Sequence, residues 1–325
     1  MATYKGIQGY TVQSLASDPT ASEAVGQLWY NSASNVWKIS AESAGAWSSG
    51  GNLNTGRSYG VGTGTNTAAL FASGLPTGTE VESYDGSAWT ELSANLNTGR
   101  SNAIGEGTST ASIFAAGDPV SVVATEIWNG TSWTNGNDIN TGRYGAASAG
   151  TSTAALAIGG NAQAPTAVNQ VESWDGTSWT ETSTDLNTAR HYLVGFGTTT
   201  AAIAATGNVP GSPYSDITES FDGSTWTEVN DVNSARQNAG SSGIQTNGIL
   251  FGGETYPYAI VGTTNTWDGT SWAASPASMA TARYGVQEGA IGTASATLAV
   301  GGQPSMTNTE EWSDPVYTIT TVTTS

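Results

Sequence analysis

The chain contains no cysteine and a single histidine, His191, among its 325 residues. Composition therefore excludes disulfides, thiolate metal sites and sites built from several histidines, and we expect no metal and no cofactor. Lysine and arginine together number 8 against 26 acidic residues, which gives a formal net charge of −18. Because that charge opposes binding to polyanions, we expect no nucleic-acid partner. Apolar runs stay short of the about 18 residues that a membrane span needs, so we expect no membrane insertion.

Charged residues are scarce as well, at 10% of the chain, whereas glycine is abundant with 42 residues. Hydrophobic residues make up 37% and include 12 Trp and 12 Tyr, which is enough apolar surface for a core. This composition is typical of many short strands joined by tight turns. The N-terminal residues lack the charged and apolar regions of a signal peptide, so we expect synthesis as a soluble cytoplasmic product.

An internal repeat organises the sequence. Its clearest mark is the tetrapeptide Asn-Thr-Gly-Arg, which recurs with small changes at intervals of 43 to 47 residues. The last position of this tetrapeptide holds all six arginines of the chain: Arg57, Arg100, Arg143, Arg190, Arg236 and Arg283. A residue type that normally scatters over a surface is thus confined to one position of a repeating structural unit.

Each repeat predicts four antiparallel strands, which we name a to d in chain order. A stretch rich in small residues follows the arginine and predicts strand a, and a continuous apolar run that ends in glycine predicts strand b. Alternation around an Asp-Gly or Asn-Gly pair predicts a c–d hairpin with a type I′ turn, in which both central residues take positive φ. Strand d begins with a tryptophan in five repeats: Trp89, Trp133, Trp179, Trp226 and Trp272. Four strands per repeat predict an all-β fold, a β-propeller of four-stranded antiparallel blades.

Six blades are predicted. The sixth repeat lacks its own strand d, and Trp47, placed beside Trp312, completes it and joins the two ends of the ring. An alternative with seven blades stays open, because residues 27–39 predict a hairpin that could join residues 316–320 in a composite N- and C-terminal blade. We expect residues 1–40 to form an N-terminal attachment segment with a β-hairpin, and residues 41–325 to form the propeller.

The b–c connections vary in length and share one face of the predicted disc, which is typical of recognition loops on a rigid scaffold. Three tyrosines in these connections, Tyr214, Tyr256 and Tyr258, are the predicted ligand-binding residues, because exposed aromatic rings stack on sugars or anchor protein partners. The alternative is that these are ordinary solvated loops.

The arginines are predicted to lie near the inner rim of the same face. One interpretation is a cationic ring that binds a carboxylate or sulfate. We favour a structural role, in which each guanidinium binds backbone carbonyls and ties one blade to the next. The strand-d tryptophans are likewise predicted to pack between blades.

No catalytic constellation stands out. His191 has no indicated serine and aspartate partners for a triad. Five glutamates all stand two residues before the aromatic residue of strand c, which indicates a structural ladder and not a catalytic carboxylate pair; they are Glu82, Glu126, Glu172, Glu219 and Glu310. We therefore predict that the protein is not an enzyme.

Four features in a fixed order resemble the kelch repeat over about residues 47 to 312: the glycines that close strand b, the aromatic-Asp pair on strand c, the Trp on strand d and the following Arg. The glycine pair is complete at Gly159-Gly160, Gly252-Gly253 and Gly301-Gly302, whereas three repeats keep one glycine. The Asp-Gly-Thr/Ser-x-Trp segment is similar to the Asp box of sialidase-type propellers. Here Asp and Gly are adjacent, so we interpret the segment as a hairpin.

The opening MATYKGIQGYTVQSLASDPT and the following GQLWYNSASNVWK resemble N-terminal segments of kelch-like virion proteins of marine tailed bacteriophages. The resemblance implies a virion location, as a tail fibre, capsid fibre or decoration protein that attaches to other virion proteins through its N-terminal segment. The propeller would then bind a host-surface glycan or protein through its b–c face. Two alternatives stay open, a purely structural decoration or connector protein of the virion and a cellular kelch-type interaction scaffold. A homo-oligomer is a further open alternative.

Overall fold

The computed structural model describes residues 13–20, 24, 26–42, 45–119, 122–163, 166–212, 214–314 and 317–322. These residues form 32 strands, numbered β1 to β32 in chain order, and no helix, which confirms the all-β class. The chain divides into two compact units, Ala46–Ser313 and a smaller one made of Met1–Gly45 with Asp314–Ser325. The domain boundary predicted from the sequence lay after residue 40 and assigned the end of the chain to the propeller.

The smaller unit contains a four-stranded sheet in the order β1-β2-β3-β32. Its strands are β1 (Ser14–Leu15), β2 (Leu28–Asn31), β3 (Val36–Glu42) and β32 (Tyr317–Thr321). The predicted hairpin is β2–β3, with Leu28 opposite Ile39. In its turn, Asn31 Oδ1 accepts hydrogen bonds from the backbone N–H groups of Ala33 and Ser34. The predictions made for residues 1–12 and for Val316 concern residues outside those that the structure describes.

The larger unit contains six four-stranded antiparallel sheets, each with strands a to d in meander order. Sheet 1 has β5 (Val61–Thr65), β6 (Ala68–Ala72), β7 (Val81–Tyr84) and β8 (Trp89–Glu91); sheet 2 has β9 (Ile104–Thr108), β10 (Ala111–Ala115), β11 (Thr125–Trp128) and β12 (Trp133–Asn135); sheet 3 has β13 (Ala147–Thr151), β14 (Ala154–Ile158), β17 (Val171–Trp174) and β18 (Trp179–Glu181). Sheet 4 has β19 (Val194–Thr198), β20 (Ala201–Ala205), β21 (Thr218–Phe221) and β22 (Trp226–Glu228); sheet 5 has β23 (Gly240–Ile244), β24 (Asn247–Phe251), β27 (Thr263–Trp267) and β28 (Trp272–Ser278); sheet 6 has β29 (Gly292–Thr293), β30 (Ala296–Val300), β31 (Thr309–Ser313) and β4 (Ala46–Ser49). Two b–c connections carry small hairpins, β15 (Asn161–Gln163) with β16 (Thr166–Ala167) in sheet 3 and β25 (Glu254–Thr255) with β26 (Ala259–Ile260) in sheet 5.

The six sheets join into a closed ring through their first strands, which contact one another in the cyclic order β5, β9, β13, β19, β23, β29 and back to β5. Sheet 6 combines both ends of this unit, because β4 pairs with β31 and Trp47 lies opposite Trp312, as the sequence predicted. The unit is therefore a multi-blade β-propeller, and its ring of first strands closes within Ala46–Ser313.

A second ring, made of backbone hydrogen bonds, surrounds the propeller axis at the residue two positions after each arginine. Each N–H donates to the carbonyl of the equivalent residue in the preceding sheet, at 2.6 to 3.2 Å. All six residues have φ between 50° and 59°: Tyr59, Asn102, Gly145, Tyr192, Asn238 and Gly285. We call this set the axial ring. Every member satisfies its backbone donor and acceptor in the ring, which stabilises a left-handed conformation at four positions that are not glycine.

Tryptophans fill the spaces between sheets. Trp174 and Trp179 of sheet 3 lie in one buried cluster with Ile104 and Ile113 of sheet 2. The Trp179 Nε1 donates to Thr125 Oγ1 of sheet 2 at 2.9 Å, so the indole is both buried and hydrogen-bonded. Each sheet thus packs its aromatic pair on the preceding sheet.

The same tryptophan hydrogen bond recurs where the preceding sheet has threonine at that position. Trp272 donates to Thr218 at 3.0 Å and Trp89 to Thr309 at 2.9 Å. Sheet 3 has Val171 at this position, and the Nε1 of the packed Trp226 is buried without a hydrogen-bond partner.

The c–d hairpins form as predicted, but the predicted turn type is wrong. In sheet 3, Trp174 lies opposite Trp179, and Asp175 N donates to Ser178 O at 3.2 Å across a four-residue loop. Gly176 has φ of 93°, whereas Asp175 is not among the described residues with positive φ, as a type I′ turn would require. Instead, the Asp175 carboxylate accepts hydrogen bonds from Thr177 N and Ser178 N, both at 2.8 Å. The aspartate therefore caps the loop with its side chain.

Candidate functional site

All six arginines are buried and none is exposed to a ligand, and five of them form ion pairs. Arg143 Nη2 lies 2.6 Å from Glu172 Oε1, and the two side chains are 0% and 1% exposed. Its Nη1 donates to the carbonyls of Gly159 and Gln170. Equivalent pairs occur in four other sheets: Arg57–Glu82, Arg100–Glu126, Arg190–Glu219 and Arg283–Glu310. The glutamate ladder thus supplies the anion for each of these arginines.

Each arginine also connects two sheets. The side chain of Arg190 pairs with Glu219 of sheet 4, while its backbone carbonyl accepts a hydrogen bond from Gly160 N of sheet 3 at 2.8 Å. The same carbonyl contact recurs at the other five arginines, with N···O distances of 2.8 to 2.9 Å. The guanidinium and the carbonyl together hold the loop between neighbouring sheets, so these residues act in the architecture.

Sheet 5 breaks the pattern. Asn265 occupies the position of the ladder glutamate, and Arg236 Nη2 donates to its Oδ1 at 2.9 Å. Burial lowers the pKa of Arg236 to about 10. Because the amide carries no charge, the guanidinium of Arg236 is buried without the anion that its equivalents have.

Substitution Asn265→Glu is expected to stabilise the propeller by about 1 to 3 kcal/mol, because it supplies a charge-assisted partner to Arg236. Thermal unfolding followed by tryptophan fluorescence would show a higher Tm for this variant and a lower one for Asn265→Ala. An unchanged or lower Tm in Asn265→Glu would contradict the assignment of Arg236 as an uncompensated buried cation.

The three tyrosines predicted to bind a ligand meet on one surface. Tyr256 and Tyr258 lie in the β25–β26 hairpin and are 65% and 77% exposed. Tyr214 comes from the b–c connection of sheet 4, and its ring centroid lies 6.4 Å from that of Tyr256 at an interplanar angle of 85°. Tyr214 Oη also donates to Glu254 Oε1 at 3.1 Å. We call Tyr214, Tyr256, Tyr258 and Glu254 the tyrosine surface.

A polar network holds the base of this surface. Glu254 is only 8% exposed, and its Oε2 lies 3.5 Å from Gln237 Nε2. Gln237 Oε1 in turn accepts from Asn208 Nδ2 at 3.3 Å, which links the two b–c connections. Burial, together with the hydrogen bond to Glu254, raises the pKa of Tyr214 well above its ordinary value, so its hydroxyl stays protonated. These contacts place the aromatic rings on a supported base.

Tyr258 shows local backbone strain. Its φ of 71° lies in the left-handed region, which is unfavourable for a bulky residue, while its side chain is 77% exposed. Strain of this kind concentrates at functional positions. The loop thus presents the ring of Tyr258 to solvent in a conformation that local propensity does not favour.

Glu254 and Gln237 were not predicted from the sequence. Their positions in the repeat could have indicated that they lie together. The residue after each arginine forms a β-bridge with the residue after the glycine that closes strand b, as Gln237 does with Glu254 and Ser58 with Leu75.

The described residues hold no group of three or more His, Cys, Asp or Glu side chains that could bind a metal ion. Burial lowers the pKa of His191, whose Nδ1 is buried without a hydrogen-bond partner. Within the part of the chain that the structure describes, no helix is long and apolar enough to cross a membrane.

The fold and the tyrosine surface define a β-propeller with an exposed aromatic patch on its connecting loops. No protein-family model matches the chain, and no curated protein is significantly similar to it.

Proposed function

We propose that this protein is a non-enzymatic binding module that recognises a carbohydrate on a host-cell surface through its tyrosine surface. The observation that carries the proposal is the exposure of Tyr256 and Tyr258, at 65% and 77%, beside the ring of Tyr214. Aromatic faces stack on the C–H faces of sugar rings, while the tyrosine hydroxyls bind sugar hydroxyls. The exposed rings come from loops that the propeller supports, which suits recognition.

The place of this module on a tailed-bacteriophage virion is part of the proposal and rests on the resemblance of the first residues. The small compact unit of Met1–Gly45 with Asp314–Ser325 supports it, because attachment and recognition would then use separate units. A purely structural decoration or connector role is the second candidate. The exposure of Trp37 in the small unit, at 43%, favours some attachment function for that unit in either case.

Removal of the two exposed rings, in the double variant Tyr256→Ala/Tyr258→Ala, is expected to weaken glycan binding at least about tenfold, since aromatic anchors dominate binding energy. The measurement is binding of the purified, labelled chain to an array of bacterial surface oligosaccharides. Ile244→Ala is the matched control, because Ile244 is 57% exposed but lies at the a–b turn of sheet 5, at the opposite end of the strands.

Three outcomes separate the candidates. Loss of array binding in the double variant, with the Tm and the Ile244→Ala control unchanged, supports glycan recognition. Binding to host cells that survives periodate oxidation of their glycans would show a protein receptor. Absence of any cell or glycan binding, with stoichiometric retention on purified particles, would overturn recognition and support the structural role.

A further inference from the structure

The first strand of sheet 6 carries an insertion that enters the propeller axis. The glycine that closes strand b follows the arginine by 17 residues in five repeats and by 19 in the sixth. In this longer stretch Glu288 N donates to Gly60 O and Gly62 N donates to Glu288 O, both at 2.8 Å. The insertion therefore pairs with sheet 1 as well as belonging to sheet 6.

The same segment reaches the other sheets. A Cβ on Gly289 would lie 2.7 Å from the carbonyl oxygens of both Gly62 and Gly105, so only glycine fits between sheets 1 and 2. Gln287, Glu288 and Gly289 line a small cavity together with the first strands of sheets 3, 4 and 5. We call Gln287–Gly289 the axial plug, because it lies among the first strands at the centre of the ring.

Glu288 places a carboxylate in this cavity. The residue is 6% exposed, and burial is the one cause that raises the pKa of its carboxyl, with no counter-charge among the described residues. Ser148 and Ser241 line the same cavity, but their hydroxyls donate to the carbonyls of Gly105 and Gly195. A largely buried carboxylate without a protein partner is unfavourable, so this position requires protonation, a water molecule or a ligand.

Two tyrosine rings lie near the same carboxylate. Tyr59 and Tyr192 belong to sheets 1 and 4, and the charge of Glu288 acts on both hydroxyls. Each ring lies over a glycine, since a Cβ on Gly285 or Gly145 would meet the Tyr59 or Tyr192 ring at 2.7 or 2.6 Å. Burial is the main cause that raises the pKa of both tyrosines, and the charges of Glu288 and other groups raise it further. Their hydroxyls therefore stay neutral near that carboxylate.

We propose that the cavity beside Glu288 binds a primary ammonium group, with Glu288 as its counter-charge. An ammonium has three N–H donors and no acceptor, which matches a carboxylate and the hydroxyl oxygens of Ser148 and Ser241 in the same lining. The cavity beside Glu288 has room for about one water-sized group, which suits –NH₃⁺ and not a quaternary ammonium.

A divalent metal ion fits the cavity beside Glu288 less well than an ammonium group does. Calcium takes six to eight oxygen ligands, and magnesium requires near-octahedral geometry. The described residues hold no cluster of three acidic or histidine side chains anywhere, and Glu288 is the carboxylate of this cavity. This site is separate from the tyrosine surface and does not depend on the function proposed for that surface.

The test is thermal unfolding of the full chain at pH 8.5 with n-butylammonium chloride, against 1-butanol, tetramethylammonium chloride and NaCl at matched concentrations. Butylammonium is expected to raise the Tm saturably, whereas the uncharged alcohol, the donor-free cation and the salt are not. Glu288→Gln should lose the shift, with at least tenfold weaker affinity, and Glu181→Gln, which removes an exposed carboxylate, should keep it.

Glu288→Gln removes a buried charge and is expected to fold, and its own Tm without ligand verifies this. Equal butylammonium shifts in wild type and Glu288→Gln would overturn the proposal. So would a shift no larger than that of NaCl, which would indicate a cavity filled by water, or a shift produced equally by tetramethylammonium.

Discussion

Replacement of Glu172 by alanine is expected to lower the free energy of unfolding of the propeller by about 3 to 5 kcal/mol. The substitution leaves the guanidinium of Arg143 buried without an anion and removes the acceptor for the backbone N–H groups of Asn140 and Thr141. Urea unfolding followed by tryptophan fluorescence would measure the loss, and the Tm should fall on the order of 10 °C.

Two controls isolate the ion pair. Glu181→Ala removes an exposed carboxylate from the same sheet and should change stability by less than about 0.5 kcal/mol. The double variant Arg143→Met/Glu172→Met should recover part of the loss, because it leaves no uncompensated charge in the interior. A Glu172→Ala variant as stable as wild type would contradict the structural assignment of the Arg–Glu pairs.

Glu288→Gln is expected to make the protein more stable than wild type at alkaline pH and equally stable near pH 4. Burial raises the pKa of Glu288 from 4.5 to about 8. Below pH 4.5 the carboxyl is protonated in both the folded and the unfolded state. Between pH 4.5 and 8 the unfolded state releases the proton while the folded state keeps it, so wild-type stability falls by about 1.4 kcal/mol per pH unit.

The difference between the two proteins should therefore rise through this window and reach on the order of 5 kcal/mol above pH 8. Other groups titrate in the same range, including Glu106, whose pKa burial raises to about 7, but they are common to both proteins. Unfolding free energies at several pH values, without added amine, give the difference curve. A difference that does not depend on pH would show that Glu288 is not held in a buried, unpartnered state.

Much of the fold could be predicted because the sequence repeats. One strand pattern, one glycine and one tryptophan per unit define each blade. Trp47 precedes Arg57 by the same interval at which Trp133 precedes Arg143, so it could be predicted as the missing strand d beside Trp312. The turn type could not be predicted from Asp-Gly alone, since an aspartate can cap a four-residue loop with its side chain instead of adopting positive φ. Asp175 does this through Thr177 and Ser178.

The partner of the arginines was visible only in part. The sequence showed a glutamate at a fixed position in five repeats, but its contact with an arginine 25 to 29 residues away depends on how the loops fold. The physical signal is that a buried arginine requires an anion. Asn265 is informative for the same reason, because it marks the one repeat in which the anion is missing.

The tyrosine surface was predicted from loop length and composition, whereas its geometry was not. The sequence indicates that Tyr214 and Tyr256 lie in connections of neighbouring blades, but the contact between their rings depends on the hairpin that carries Tyr256.

The axial plug could also be predicted only in part. Its two extra residues are visible as a longer interval in the sixth repeat, while their course through the axis depends on pairing with sheet 1.

These observations separate the repeated residues from the irregular ones. The repeated arginines, glutamates and tryptophans are buried and hold sheet to sheet. The residues that break the repeat carry the exposed rings of Tyr256 and Tyr258 and the unpaired carboxylate of Glu288. We therefore infer that the repeated residues provide stability, and that the proposed recognition belongs to the residues that depart from the repeat.

The most direct test of this division measures Tm and glycan-array binding side by side for Tyr256→Ala/Tyr258→Ala and for Glu172→Ala. We expect the tyrosine variant to lose binding with an unchanged Tm, and the glutamate variant to have a lower Tm but to keep binding at temperatures where it is folded. Loss of binding in the folded glutamate variant, with full binding in the tyrosine variant, would contradict this division.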